Sequence, residues 1–182
     1  MGMIVSFLQP KDKVPDFIEF TAEDVTNIKR TWVLPHEHPM DVGEKILYKY
    51  FETFPVYQEF FEHFKNYPLL TLKGAPGFRT HAGRMIRVFD SNVDVLAEGN
   101  IETEMEKIWL PIARSHYRRE IPQKAFRDFR TIAVEGLQEL CNLTEAECKS
   151  YKVFFNNVHH VVFEGLEAVA KLEGHHHHAH NI

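Results

Sequence analysis

The sequence predicts an all-α fold, and three observations support this prediction. Apolar residues recur every three or four positions over most of the 182-residue chain, prolines and glycines separate these periodic stretches, and no stretch alternates apolar and polar residues as a strand does. A chain of this length is long enough to bury one hydrophobic core. We therefore predict one helical domain over residues 21–172, with an N-terminal extension over 1–20 and a His-rich tail over 173–182.

The first two helices are predicted from the signals at their ends. Thr21 suits an N-cap, and acidic residues and an apolar stripe at helical spacing follow it. Pro35 and Pro39 end this helix in a loop and start the next helix, which Pro55 breaks. A Phe-rich segment follows Pro55.

The remaining helices are predicted in the same way. A loop over residues 73–77 precedes the next helix, and the Gly99-Asn100 pair separates that helix from another. Pro122 opens a further helix, because proline is well suited to the first helical turn. Thr144 and Glu147 have the spacing of a capping box and start the last helix. We expect about seven helices in total.

The composition excludes several classes of protein. No run of about 18 apolar residues occurs, so no helix is predicted to span a bilayer. The 2 cysteines, Cys141 and Cys148, are too few for a disulfide scaffold or a thiolate zinc finger. The net charge of -5 does not favour a nucleic-acid partner. The N-terminal stretch lacks the features of a secretory signal, so we expect a cytoplasmic protein.

The N-terminus matches one lipidation pattern. Met1-Gly2 followed by Ser6 fits the pattern for N-myristoylation of the glycine. A single myristoyl chain holds a protein at a membrane only weakly. We therefore expect, at most, a marginal association with a membrane surface through acylated Gly2.

The chain is rich in histidine, with 12 such residues. Five lie in the tail, and His36 and His38 lie in a proline-bounded stretch that we interpret as an exposed loop. His159 and His160 are consecutive in the last helix, so only one of them is expected to face the core. His63 receives no role.

His81 and His116 differ from the other histidines because each lies on the apolar face of a predicted helix. His81 follows Phe78 by three positions, and His116 follows Ile112 by four. For either histidine alone, a hydrogen-bonded core residue is the simpler interpretation. Two of them on different helices, with phenylalanines nearby, also suit an iron porphyrin held between imidazoles, because neutral imidazole binds iron and apolar walls exclude water.

The order and spacing of four elements resemble the globin family. These elements are Trp32, K-Y-F-E-T-F-P-V-Y-Q-E-F-F-E-H-F at 49–64, F-R-T-H-A-G-R-M-I-R-V-F at 78–89, and W-L-P-I-A-R-S-H-Y-R-R-E-I-P at 109–122. The stretch at 78–89 is most similar to intracellular arthropod globins. The S-H-Y-R sequence and the signal at Gly2 are similar to the acylated animal globins called globin X.

The resemblance implies a globin fold of seven to eight helices that enclose haem b. It assigns His116 as the proximal iron ligand and His81 as the distal histidine, which either donates a hydrogen bond to bound dioxygen or ligates the iron itself. It also implies that Phe61 stacks on the porphyrin. The other expected pocket residues are Leu47, Phe64, Arg84, Met85, Ile112 and Ile121. The spacer between the two histidines is longer than in ordinary vertebrate globins, and we place the extra residues in a turn at 97–100.

Three functions remain open from the sequence. The first is reversible binding of dioxygen, with carbon monoxide and nitric oxide as further ligands, for storage or delivery inside cells. The second is a haem enzyme or redox sensor with histidine on both sides of the iron, acting on nitric oxide or nitrite or transferring electrons; it needs a reductase partner. The third is a helical interaction protein without a cofactor. The sequence leaves the oligomeric state open.

Overall fold

The computed structural model describes residues 13–179, with side chains described up to Glu173, and over this range the chain is built from helices and turns. This confirms the predicted all-α fold. The α-helices are α1 (Ala22–Thr31), α2 (Val33–Glu37), α3 (Pro39–Thr53), α4 (Leu69–Leu72), α5 (Pro76–Asp94), α6 (Ile101–Tyr117), α7 (Gln123–Cys141) and α8 (Glu145–Ala179). Short 3₁₀ helices at Pro55–Phe60 and Val95–Ala97 follow α3 and α5.

The predicted capping boxes start the first and last helices. The Thr21 hydroxyl accepts from the backbone N–H of Asp24, and the Asp24 carboxylate accepts from the backbone N–H of Thr21. Thr144 and Glu147 make the same reciprocal pair before α8. Each box satisfies two of the N–H groups that have no partner inside a helix, so local sequence fixes where these helices begin.

The predicted loop around His36 is wrong, because residues 33–37 form the short helix α2. The cause is a carboxylate from α5. Asp90 is buried and accepts hydrogen bonds from Trp32 Nε1 at 2.9 Å and from His36 Nδ1 at 2.9 Å. A buried carboxylate requires such donors, and meeting that requirement holds the chain in a helical turn despite Pro35.

Both His159 and His160 are buried, although only one of them was expected to face the core. His159 faces α7 and donates from Nε2 to the Phe126 carbonyl oxygen at 3.0 Å. His160 faces the opposite way, toward residues 13–20, and donates from Nδ1 to the Pro15 carbonyl oxygen at 2.8 Å. Protein therefore covers α8 on two sides, and consecutive positions are both shielded from water.

Residues 13–20, which we call the strap, form the described part of the predicted N-terminal extension. The strap has no regular secondary structure and contacts α8. The Ile18 backbone donates to Asn157 Oδ1 at 2.9 Å, and Asn157 Nδ2 donates to the Ile18 carbonyl oxygen at 2.7 Å. Gly2 and its acylation signal lie outside the described residues. The boundaries at residues 21, 172 and 173 stay predictions, and α8 continues to Ala179.

The most extensive helix contacts are those of α6 with α8 and of α3 with α5. The crossing of α3 on α5 is very close, because a Cβ added at Gly43 would lie 2.3 Å from the Ala82 carbonyl oxygen. Only glycine permits such an approach of one backbone to another. Between residues 13 and 179, no helix is long and apolar enough to cross a membrane.

We expect Gly43→Ala to lower the free energy of unfolding by about 1–3 kcal/mol, because the added methyl group pushes α3 away from α5. Gly99→Ala is the matched control: nothing lies within 4 Å of its added Cβ, so its effect should stay within about 0.5 kcal/mol. Urea denaturation of both variants measures the difference. Equal effects at the two positions would contradict the close crossing.

Candidate functional site

Helices α5 and α6 carry the two histidines that the sequence singles out. α5 begins at Pro76, which places His81 in its second turn, and His116 lies in the last turn of α6. The two imidazoles are near enough for His116 to contribute to lowering the pKa of His81. The structure therefore brings together the two residues predicted to ligate iron.

The His81 imidazole lies in an aromatic corner. Its ring packs edge-on against Phe61, with ring centroids 5.1 Å apart, and against Phe64, at 5.8 Å. Burial is the main cause that lowers the pKa of His81, and the neighbouring His116 is the second. Within the described residues its ring nitrogens form no hydrogen bond. The side chain is therefore neutral near pH 7, and its lone pair is free for a ligand.

The His116 imidazole is fixed by its own helix. Nδ1 lies 2.8 Å from the Ile112 carbonyl oxygen, one turn earlier. Because a carbonyl oxygen can only accept, Nδ1 carries the proton and Nε2 keeps its lone pair. Burial lowers the pKa of His116, and the bond to Ile112 opposes this only in part. This arrangement is typical of metal-binding histidines, in which a backbone carbonyl orients the ring.

The other predicted pocket residues differ in their exposure. Phe61, Met85, Ile112 and Ile121 are half-buried apolar side chains that pack against the core. Leu47 and Phe64 are buried within the core itself. Arg84 is exposed, yet its charge contributes to lowering the pKa of His81. Ile121 is tied to the site by its backbone, which donates to the His116 carbonyl oxygen at 3.3 Å.

The structure adds two residues that sequence reasoning missed. Phe126 from α7 packs on the His116 ring, with centroids 5.3 Å apart. Arg119 lies near both imidazoles and contributes to lowering the pKa of each. Phe126 belongs to an apolar stripe on α7, but no spacing in the sequence relates that stripe to His116. In the sequence alone, Arg119 is one of several charged residues that follow a predicted helix, and nothing distinguishes it from the others.

The donor set suits haem. A flat metal complex with apolar faces needs an imidazole lone pair on one side or on both sides. It also needs a lining of apolar side chains that exclude water. His81 and His116 supply two uncommitted imidazole nitrogens, and the four half-buried apolar residues supply the lining. The fold and this site together define a helical haem-binding protein.

Comparison with known proteins agrees with a helical haem-binding protein. The family model described as Globin matches residues 44–162. Because the match covers more than half of the chain, the chain belongs to the globin family, and its cofactor is haem.

Several proteins that resemble this chain are arthropod globins. Globin CTT-II beta of Chironomus thummi thummi is 27% identical over 146 residues, which cover 80% of this chain and 89% of that protein. The hexa-coordinate hemoglobin of Drosophila melanogaster is 32% identical, with a TM-score of 0.76 over 79% of this chain and 94% of that chain. Hemoglobin from the botfly Gasterophilus intestinalis, 24% identical with a TM-score of 0.75 over 81% of this chain and 99% of that chain, shares the fold.

A further histidine, His159, is buried behind the site. His159 stacks on Phe163 with ring centroids 5.2 Å apart, and Phe163 meets Phe126 edge-on at 6.0 Å. Burial, with a contribution from the charge of Arg130, lowers the pKa of His159 to about 4. Proton binding at His159 therefore favours the unfolded chain, where histidine titrates near its ordinary value.

We expect His159 to make the protein less stable in mild acid. The folded pKa lies below the unfolded one, so stability is lost as pH falls through about 6.5 toward 4. Between pH 7 and pH 5 this amounts to about 2 kcal/mol. In His159→Gln, whose amide retains a donor for the Phe126 carbonyl oxygen, this part of the pH dependence should disappear. Urea denaturation at both pH values tests this, and an unchanged pH dependence in the variant would contradict it.

Proposed function

We propose that this protein reversibly binds dioxygen, and also carbon monoxide and nitric oxide, at the iron of haem b held by His116. The observation that carries this proposal is the hydrogen bond from His116 Nδ1 to the Ile112 carbonyl oxygen, which leaves Nε2 unprotonated. Haem bound here would supply an iron that can bind a diatomic gas. The protein's contribution is to hold one imidazole firmly and to control access to the other side.

His81 is proposed to control that access. Its ring nitrogens are free of hydrogen bonds within the described chain, and only ring contacts with Phe61 and Phe64 hold it. We propose that His81 would bind the haem iron in the absence of a gas and would move aside when a gas binds. The apparent affinity for gas then equals the intrinsic affinity multiplied by the fraction of molecules in which His81 has moved.

The remaining pocket residues are proposed to hold the porphyrin. Phe61 stacks on it and Phe64 packs behind Phe61, consistent with the 6.2 Å separation of their stacked rings. Leu47 and Met85 line the distal side, on which His81 lies, and Ile112 and Ile121 line the proximal side, on which His116 lies. The exposed guanidinium of Arg84 pairs with a propionate.

A haem enzyme or redox sensor is the second candidate. The proximity of the two imidazoles favours it, because histidine on both sides of the iron suits electron transfer and leaves the redox state sensitive to the surroundings. The similar Drosophila melanogaster protein is a hexa-coordinate hemoglobin, and this similarity further supports the second candidate. In this case a separate reductase supplies electrons for turnover. The cytoplasmic location and the acylation of Gly2 stay predictions of the sequence.

We expect His116→Gly to lose most of its haem, because the variant lacks the proposed proximal ligand. Added imidazole should restore haem binding by filling the space that the side chain leaves. Haem per polypeptide, measured by absorbance after purification, gives the result. His38→Ala is the control, since His38 is exposed, and should retain haem. Full haem occupancy in His116→Gly without imidazole would overturn the assignment of the proximal ligand.

We expect the ferrous, gas-free protein to show the sharp, split visible bands of low-spin haem, and His81→Leu to show a single broad band. If His81 holds the closed state in most molecules, carbon monoxide should bind His81→Leu about tenfold faster or more. Visible spectra and flash photolysis provide these measurements. A broad band in the wild type would reject closure by His81 and leave an oxygen binder with an open site.

A further inference from the structure

A buried hydrogen bond joins the helix that carries His81 to the helix that carries His116. Trp109 Nε1 on α6 donates to Asn92 Oδ1 on α5 at 2.9 Å, and both side chains are buried. Among the described residues, no other hydrogen bond or ion pair links α5 with α6. We call Asn92 and Trp109 the joint, because they form the polar connection between the two helices of the site.

Both partners of this hydrogen bond are held firmly. Asn92 Nδ2 donates to the Val88 carbonyl oxygen at 2.7 Å, so the orientation of the amide is set. The Trp109 ring packs against Phe89, with centroids 5.6 Å apart, and Phe89 stacks on Phe129 of α7 at 6.1 Å. Breaking the bond leaves a fully buried oxygen without a donor, which is costly. The joint therefore resists rotation of either side chain.

The joint lies at a distance from both imidazoles. Asn92 follows His81 by eleven positions, which is about 16 Å along α5, and Trp109 precedes His116 by seven, which is about 10 Å along α6. A rotation of α6 by about 5° about the joint therefore displaces His116 by about 1 Å. Side chains of a functional site must be held to within about 0.5 Å. A loose joint is thus enough to misplace one imidazole relative to the other.

The close glycine crossings do not fix this separation. A Cβ at Gly43 would meet the Ala82 backbone, which holds α5 against α3, and a Cβ at Gly165 would meet the Ala113 Cβ, which holds α6 against α8. Each histidine therefore belongs to a different tightly packed helix pair. Helix α7 contacts α3 and α8, one helix of each pair. The joint is what connects the two histidine-bearing helices directly.

We propose that Asn92 and Trp109 are positioning residues that set the separation of the His81 and His116 imidazoles. They act through α5 and α6, and neither is a ligand of the iron. This inference rests on the proposed function, in which His81 binds the iron when no gas is present. His81 reaches the iron only while the two helices keep their spacing, so the balance between the closed and open site depends on the joint.

Trp109→Phe in the haem-loaded protein tests this inference, because phenylalanine keeps an aromatic ring and lacks the N–H. We expect the ferrous, gas-free variant to lose part of the sharp, split bands, and carbon monoxide to bind about threefold faster or more, since fewer molecules are closed. Asn92→Leu should cause the same change, and the double variant no larger one, because all three lack the same hydrogen bond. Visible spectra and flash photolysis measure these effects.

Trp32→Phe is the matched control. Trp32 is 3% exposed and Trp109 is 6% exposed, and Trp32 Nε1 also donates to a side-chain oxygen at 2.9 Å. That oxygen belongs to Asp90, so the bond does not connect α5 with α6. Trp32→Phe should lower the free energy of unfolding in urea and leave the spectra and the carbon monoxide rate as in the wild type. The spectra therefore separate positioning from a general loss of stability.

A distance measurement tests the joint without relying on ligation by His81. Spin labels are placed on α5 at Thr80→Cys and on α6 at Arg114→Cys, both exposed positions, in a chain that carries Cys141→Ala and Cys148→Ala. The samples are ferrous and saturated with carbon monoxide, so the distal side is open in every variant. Pulsed electron paramagnetic resonance should show a mean distance that is shifted, or a distribution that is broadened, by about 1 Å or more in Trp109→Phe.

Two sets of results would overturn the inference. In the first, Trp109→Phe loses stability as Trp32→Phe does, while its spectra, carbon monoxide rate and label distance stay as in the wild type. In the second, Trp32→Phe changes the label distance as much as Trp109→Phe does, which indicates general loosening. If the wild type shows the broad band of an open site, the proposed role of His81 fails, and the label distance alone decides: a change in Trp109→Phe supports the joint, and no change rejects it.

Discussion

Each histidine of the site lies beside a helix crossing at which a glycine allows the two helices to approach closely. The Gly43 backbone of α3 approaches the Ala82 carbonyl of α5 so closely that a Cβ on Gly43 would lie 2.3 Å from its oxygen, and Ala82 directly follows His81. On the other side, a Cβ on Gly165 of α8 would lie 2.9 Å from the Cβ of Ala113, which precedes His116 by one turn of α6. Packed backbones do not deform by small amounts without cost. These two contacts therefore fix α5 against α3 and α6 against α8, and with them the two helices that carry the imidazoles.

The protein around these crossings keeps the imidazoles neutral. Burial is the first cause that lowers the pKa of both His81 and His116, and the positive charge of Arg119 acts in the same direction on both. A neutral imidazole is the form that binds a metal, so the same packing that positions the rings also prepares their lone pairs. Phe126 extends this environment behind His116, and the buried His159 fixes the backbone of Phe126 by donating to its carbonyl oxygen.

Much of this arrangement follows from local patterns in the sequence, and the remainder depends on partners that are distant in the chain. The capping boxes at Thr21 and Thr144 and the helical faces of His81 and His116 are local, and the sequence alone predicts them. The helix α2 forms because Asp90 reaches it from α5, and no residue near Pro35 indicates this. His160 is buried because Pro15, which is 145 residues away, covers it. Nothing in the spacing of α7 relates Phe126 to His116, so contact between them emerges only in the folded chain.

The two histidines are held in different ways, and this difference bears on the proposed function. His116 has a hydrogen bond to Ile112 on its own helix and a ring contact with Phe126 from another helix, so both its tautomer and its orientation are set. His81 has ring contacts with Phe61 and Phe64, and such edge-on contacts contribute about 0.5–1.5 kcal/mol each. Rotation of His81 leaves no buried polar group without a partner, whereas rotation of His116 breaks its bond to the Ile112 carbonyl oxygen. If one imidazole must leave the iron for a gas to enter, the less costly movement is therefore that of His81, and α6 remains the fixed side of the site.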